Sequence, residues 1–214
     1  MYIKERYMKV VIITVPMMQP ERMEALQYPI DGNKAIEYEK PVQCPINGIL
    51  AKTLQRGEKV KIIYIMTTGE NSRCEQNRKA FIDELTDINK ETGADLSFDA
   101  VEIDFLPEKQ TYNKLITDLA ENIPENVELY IDITYGFKPE VLSLFCALRF
   151  VEEYRDSVVQ YIVYGKVEFS GDNKKVHPRL YDITSLYYLF KLMGTMGADN
   201  AETAVQTLKD FFAM

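Results

Sequence analysis

The stretch Val127–Lys138, VELYIDITYGFK, decides the fold. Its first half, up to Ile133, is a run of β-branched, aliphatic and aromatic residues of strand length. A short polar turn follows, and Pro139 then opens an almost wholly apolar helix that we predict over Glu140–Phe150. Proline suits the first helical position because its missing N–H is not needed there. A buried strand, a polar turn and a buried helix in this order predict an α/β protein that binds ligands beyond the carboxyl ends of its strands.

The turn carries groups that suit a phosphorylated ligand. Thr134 offers a hydroxyl, and Gly136 lets a ligand approach the backbone. Tyr135 or Phe137 offers a ring for stacking, and Lys138 supplies a cation. The N–H groups of a first helical turn and the positive end of the helix dipole both favour an anion. We therefore predict that this turn binds ligand and that Lys138 contacts a phosphate.

Strand and helix patterns alternate along the rest of the chain. The predicted strands are Met8–Val15, Lys59–Met66, Leu96–Asp104, which alternates in part and so lies nearer an edge, and Val158–Tyr164. The predicted helices run from Pro45 to a stop at Gly57, from the turn after Glu70 to Lys90 with a stop at Gly93, and over Pro107–Ile123. This order predicts a doubly wound, mostly parallel Rossmann-like sheet with right-handed crossovers.

Strand ends of such a sheet meet at one crevice, so we expect them to supply the ligand-binding residues. These are Thr14 and Met17 after the first strand, Thr67, Thr68 and Gly69 after the second, Thr134, Tyr135, Gly136, Phe137 and Lys138 in the central turn, and Gly165 after the fifth strand.

The chain after Gly165 reads as a strand hairpin at the sheet edge, with a turn at Gly171-Asp172-Asn173, followed by two short helices. Asp182 or Thr184 can cap the helix Ser185–Met193, and Asp199 the helix Ala201–Phe212. We predict a domain over residues 1–182 and a helical appendage over 183–214. Because short amphipathic helices need a surface to pack on, we expect a second subunit to cover much of their apolar faces.

The segment Pro16–Gln43 holds four prolines and little helical period. A loop this long is either disordered or functional. Its methionines and tyrosines favour a lid over the ligand, with a floppy insertion as the alternative.

Composition excludes several classes of protein. The formal charge of −8 argues against a protein that coats duplex nucleic acid, which needs a broad basic face. No apolar run approaches the ~20 residues of a membrane-spanning helix. Three widely spaced cysteines predict reduced thiols in the cytoplasm, and the single histidine, His177, cannot form a histidine metal cage. Neither a G-x-G-x-x-G nor a P-loop motif is present, so we predict no cofactor and no metal.

The string Asp132–Lys138 resembles the D-[IL]-T-H-G-F-[RK] signature of CARF domains, the CRISPR-associated Rossmann folds, with Tyr135 in place of the usual histidine. Tyr164-Gly165 and Leu180–Thr184 extend the resemblance over roughly Met8–Leu192, although only the central motif is specific. The resemblance implies a sensor of cyclic oligoadenylates, the second messengers of type III CRISPR complexes. It also implies a homodimer with the ring across its two-fold axis, and an effector domain or partner protein that receives the signal.

Two other activities stay open. A ring nuclease would linearise the messenger through attack by a ribose 2′-OH on the neighbouring phosphate, with Lys138 stabilising the developing charge and Thr134 orienting the ring. Because the motif has no histidine to act as a general base, such a reaction would be slow and would depend on positioning. The third possibility is an α/β enzyme that acts on an ordinary mononucleotide.

Overall fold

The computed structural model describes residues 8–31, 33–69, 72–104, 106, 108–169, 175–195 and 197–213. Its strands are β1 (Met8–Thr14), β2 (Ile30–Asp31), β3 (Lys59–Thr68), β4 (Asp95–Asp104), β5 (Val127–Asp132), β6 (Val158–Phe169) and β7 (Lys175–Asp182). Its helices are α1 (Pro45–Thr53), α2 (Cys74–Thr92), α3 (Lys109–Asn122), α4 (Lys138–Tyr154), α5 (Thr184–Met193) and α6 (Ala201–Ala213).

The strands form one sheet in the order β2-β7-β6-β5-β1-β3-β4, and β6, β5, β1, β3 and β4 are parallel. The predicted α/β class with a doubly wound, mostly parallel sheet is confirmed. The chain moves from β1 towards β4 and then crosses back to β5, so right-handed crossovers place α1 and α2 on one face and α3 and α4 on the other. The order therefore reverses between β1 and β5, which is where open α/β sheets bind ligands.

Burial follows the apolar pattern of each strand. In β1, residues 10–13 are fully buried, as the central position of that strand requires. In β4, buried and exposed residues alternate over part of the strand, and β4 lies at the edge as predicted. Gly93 ends α2 in the left-handed conformation, at φ +73°.

The C-terminal hairpin exists but does not form the sheet edge. β6 and β7 pair antiparallel, as predicted, and the predicted turn at Gly171–Asn173 lies outside the described residues. The prediction of an edge is wrong because β2 pairs with β7 on its outer side. Sequence pattern could not show this, since β2 is only two residues long.

The long segment between β1 and α1 is part of the core. Its buried residues include Met23, Tyr28, Ile30, Ile36 and Val42. Leu26 and Val42 exchange backbone hydrogen bonds of 3.0 and 2.9 Å. The floppy alternative is therefore wrong for the described part of the segment, and closure over a ligand stays a prediction.

Contacts divide the chain into two units, Met1–Thr184 and Ser185–Met214. In the second unit, Asn200 caps α6 by accepting the Thr203 N–H at 2.9 Å. The prediction of Asp199 as this cap is wrong by one residue, since Asn and Asp serve equally well at this position. None of the helices in the described parts of the chain is long and apolar enough to cross a membrane.

Candidate functional site

Asp132 is the last residue of β5, and its side chain bonds the backbone of the turn that follows. Its carboxylate is buried and accepts the Thr134 N–H at 2.8 Å and the Ile46 N–H of α1 at 3.1 Å. Burial raises the pKa of this carboxyl, and the two hydrogen bonds oppose the shift. The first residue of the motif is therefore a cap for α1 and not a ligand contact.

Thr134 connects β5 to β6. Its hydroxyl oxygen accepts the Gly165 N–H at 2.8 Å, and a Cβ on Gly165 would lie 3.0 Å from that oxygen and 2.9 Å from Cγ of Pro45. Gly165 is thus required for close packing. Thr134 and Gly165, both predicted to bind ligand, lie together and contact each other.

The tripeptide Asp-Ile-Thr occurs a second time, at residues 182–184, and makes the same turn. Asp182 accepts the Thr184 N–H at 3.0 Å, and the Thr184 hydroxyl oxygen accepts the Ile162 N–H of β6 at 2.8 Å. An aspartate that bonds the backbone two residues on is a common way to end a strand. In this chain, both Asp-Ile-Thr sequences therefore end a strand, and in both the threonine hydroxyl oxygen accepts a backbone N–H of β6.

Tyr135 turns away from solvent. Its ring stacks on Phe81 of α2 with 6.2 Å between centroids, and its hydroxyl donates to the Gln43 carbonyl at 3.4 Å. Burial raises the pKa of its phenol. Of the two rings predicted to stack on a ligand, Tyr135 is the partly buried one that packs against the core, and its contact with a ligand stays a prediction.

Gly136 sits directly against β1. It has φ +105°, and a Cβ there would lie 2.5 Å from Cγ2 of Thr14 and 2.8 Å from Oε2 of Glu140. Thr14 is buried where it meets the turn, and its contact with a ligand stays a prediction. The ends of β1 and β5 do lie side by side, as predicted, and Gly136 packs directly against Thr14 where they meet.

Glu140 is the residue that the sequence analysis missed. It is only 3% exposed and accepts the Phe137 N–H at 3.2 Å and the Thr67 hydroxyl at 3.3 Å. Burial raises the pKa of its carboxyl, while these two bonds oppose the shift. A glutamate at the third helical position that bonds back to the start of the helix is half of a capping box, a pattern readable in the sequence.

This contact corrects the phosphate prediction for the helix terminus. The Phe137 N–H is taken by Glu140, the Glu140 N–H donates to the Phe137 carbonyl at 3.0 Å, and Pro139 has none. An anion at α4 would therefore depend chiefly on Lys138, with a buried acid close by.

The outward-facing part of the turn consists of Gly136, Phe137 and Lys138. Phe137 is 42% exposed, and Lys138 and Gly69 are exposed as well. Met17 is half-buried against the core. The predicted residues that face solvent thus present an aromatic ring, a cation and two glycines.

A cavity of about 250 Å³ lies beside Phe137, between the end of β4, the start of α3 and the start of α4. We call it the β4–α4 cavity. Its apolar walls come from Ile103, Leu106, Phe137 and Pro139, and its polar groups from Asp104, Thr111, Tyr112 and Glu140. Thr68, predicted to bind ligand, has one hydroxyl hydrogen, and two acceptors lie 3.1 Å from its oxygen: a carboxylate oxygen of Asp104 and the Ile103 carbonyl oxygen.

The described residues contain no group of three or more His, Cys, Asp or Glu side chains that could hold a metal ion. No protein-family model matches the chain, and no curated protein matches it. The resemblance to CARF domains therefore rests on the motif residues alone.

Proposed function

We propose that the chain binds a cyclic oligoadenylate between two copies of itself, as the cytoplasmic sensor of a type III CRISPR response. The observation that carries the proposal is the exposed Gly136–Lys138 turn after β5, next to β1, where the strand order reverses. Ligands of open α/β sheets bind at this position. The motif resemblance supplies the class of ligand.

The turn suits a small nucleotide. Phe137 offers a face on which a base stacks, worth about 1–3 kcal/mol per base. Lys138 lies one residue further on and suits a phosphate, and Gly136 has no side chain to keep the ligand from the backbone. A local cation, Lys138, on an acidic chain favours a small anionic ligand over a duplex.

An apolar stripe along α4 supports the homodimer. Leu142, Phe150 and Tyr154 are 67%, 43% and 71% exposed, and Cys146 is exposed between them. Spacings of four residues place these side chains on one face of the helix. The helix begins at the ligand turn, so in a dimer whose two turns share one ring it lies close to the two-fold axis.

Disulfide cross-linking tests this dimer. Cys44 and Cys74 are buried, so mild oxidation should link Cys146 to the same residue of a second copy, and Cys146→Ser should abolish the link. If both turns meet at one ring and the α4 helices run along the two-fold axis, the two helices are roughly parallel. Leu142→Cys combined with Cys146→Ser should then also link, whereas an antiparallel crossing centred on Cys146 would not allow it.

The C-terminal helices are the second candidate for the subunit contact. Within their own unit, Leu186 and Phe190 of α5 and Val205 and Phe212 of α6 are exposed. Truncation after Met193 should weaken dimerisation in sedimentation if α6 carries the contact. A truncated dimer as tight as the full chain, together with Cys146 cross-linking, would assign the contact to α4.

Incubation with cyclic tetra-adenylate and cyclic hexa-adenylate, followed by mass spectrometry, tests the function. A ring that is bound and recovered intact supports the sensor. A ring that is bound and cut supports the ring nuclease, and binding of AMP with no binding of either ring supports the mononucleotide enzyme. The nuclease has less support, because the Thr134 hydroxyl already bonds Gly165 and Glu140 takes the Phe137 N–H.

A further inference from the structure

The β4–α4 cavity is of a size that suits one base of the ligand. At about 250 Å³ it lies just below the ~300–1,000 Å³ of pockets that hold drug-sized molecules. A whole ring of nucleotides does not fit, whereas a single nucleobase does. Phe137 and Pro139, which flank Lys138 in sequence, both line the cavity, so a base inside it and a phosphate at Lys138 would be neighbours.

The walls suit a flat ring. Phe137, Pro139 and Ile103 supply apolar surface, and Tyr112 adds a second aromatic side chain. Aromatic rings and prolines form flat surfaces on which nucleobases stack irrespective of their sequence. The walls alone would therefore accept any of the common bases.

The polar side chains of the cavity determine which hydrogen-bonding groups a base can carry on its edge. The acidic residues of the lining are Asp104, which is exposed, and Glu140, which is buried with one hydrogen bond already accepted at each carboxylate oxygen. Among the described residues that line the cavity none is a lysine or an arginine. A carboxylate only accepts hydrogen bonds when ionised, so it favours an amino group and disfavours a carbonyl. The Tyr112 hydroxyl can donate to a ring nitrogen.

Both carboxylates are held in place by neighbouring residues. Asp104 accepts the Thr68 hydroxyl at 3.1 Å, and Glu140 accepts the Phe137 N–H and the Thr67 hydroxyl. Each of these donors comes from β3 or from the ligand turn. Thr67 and Thr68 thus act as positioning residues for the acceptors.

We infer that the β4–α4 cavity binds one aminopurine base of the ligand and reads its exocyclic amino group with Asp104 and Glu140. The inference rests on the proposed function, since it gives one adenine of the ring a place in each subunit. Adenine satisfies the site with its amino group as donor and a ring nitrogen as acceptor. Hypoxanthine carries a carbonyl at the same position and would face the carboxylates with an oxygen.

Calorimetric titration with cyclic tetra-adenylate and with cyclic tetra-inosinate tests the inference. We expect the wild-type protein to bind the inosinate ring at least about tenfold more weakly, as for the loss of one hydrogen bond to a charged group. Asp104→Ala and Tyr112→Phe should each shrink this ratio. Asp99 lies on the same strand as Asp104, but its carboxylate forms an ion pair with Lys61 and does not line the cavity. Asp99→Ala should therefore leave the ratio unchanged.

The outcomes separate the two proposals. Equal binding of both rings by the wild type, or a ratio unchanged in Asp104→Ala and Tyr112→Phe, overturns the inference and leaves the proposed function intact. If neither ring binds, the proposed function fails. Adenosine and inosine are then titrated directly by NMR, and a lack of preference for adenosine overturns the inference too. Glu140→Gln, which keeps an acceptor for Phe137, checks the second carboxylate without removing the cap.

Discussion

Two helices of this protein begin beside the carboxyl ends of the strands, and their first turns differ. Both α1 and α4 have a proline in the first two positions. The start of α1 is closed by acids from other elements: Asp132 accepts the Ile46 N–H, and Glu84 of α2 accepts the Cys44 N–H at 3.1 Å. The start of α4 has one acid from its own first turn, Glu140, and leaves its outer side exposed.

A helix N-terminus is therefore an anion site only where its N–H groups are not already bonded to carboxylates of the protein and where it faces solvent. At α1 the favourable position is filled by one buried and one half-buried carboxylate, those of Asp132 and Glu84, so the terminus is structural. At α4 the carboxylate satisfies one N–H, and the neighbouring lysine faces solvent. Four predictions test this contrast, from the largest effect to the smallest.

Asp132→Ala should remove the closure of α1 and lower the free energy of unfolding by about 4 kcal/mol, because two buried N–H groups lose their acceptor. Urea denaturation measures this. Asp182→Ala is the matched control, since Asp182 makes the same turn with Thr184, and it should lower stability by only about 1 kcal/mol. Equal effects would mean that the bond to α1 contributes nothing.

Gly136→Ala should disrupt the start of α4, because it combines an unfavourable φ with a contact of 2.5 Å to Thr14. Gly57→Ala is its control, since Gly57 also has positive φ, +72°, with no atom within 4 Å of the added Cβ. We expect about 1 kcal/mol of destabilisation at Gly57 and about 3 kcal/mol at Gly136 in urea denaturation. If the two variants are equally stable, the turn moves away from β1 at no cost.

Lys138→Ala should weaken binding of the cyclic oligoadenylate by about 1.5–3 kcal/mol, the range for a hydrogen bond to a charged group. Lys138→Arg should retain more of the affinity. Lys90→Ala, in the last turn of α2, serves as the control in the same titration. If the affinity is unchanged in Lys138→Ala, Lys138 does not contact the ligand, and the start of α4 is no more an anion site than the start of α1.

The pH dependence of stability should report the buried acids of both helix starts. Burial raises the folded-state pKa of Glu84 and of Glu140 above their ordinary value of 4.5, so the folded protein binds more protons than the unfolded chain in that range. The contribution of these two carboxyls to stability should therefore fall as pH rises from 4.5 through the folded-state pKa, by at most about 1.4 kcal/mol per pH unit for each carboxyl.

Glu84→Gln and Glu140→Gln should each flatten this fall in urea titrations carried out across that pH range. Glu75→Gln provides the control of opposite sign, since the ion pair with Arg78 lowers the pKa of Glu75. If neither Glu84→Gln nor Glu140→Gln changes the slope of stability against pH relative to the wild type, the folded-state pKa values of these two carboxyls are not raised.

The sequence was sufficient for much of the site's location. The turn at 134–138, the strand before it and the helix after it all lie where the pattern predicted. It failed on the direction of individual side chains. Tyr135 and Phe137 are both aromatic residues of one turn, and only their distant neighbours decide that Tyr135 meets Phe81 while Phe137 faces solvent.

What the sequence determined by itself is what depends on near neighbours along the chain. Apolar runs specify the buried strands, Gly93 ends α2, and an aspartate two residues before a threonine makes its own turn. Tertiary structure alone decided that Asp132 caps a helix 86 residues away and that Thr134 bonds Gly165. Such contacts depend on strand order and register, which bring distant residues within hydrogen-bond distance and which no local pattern encodes.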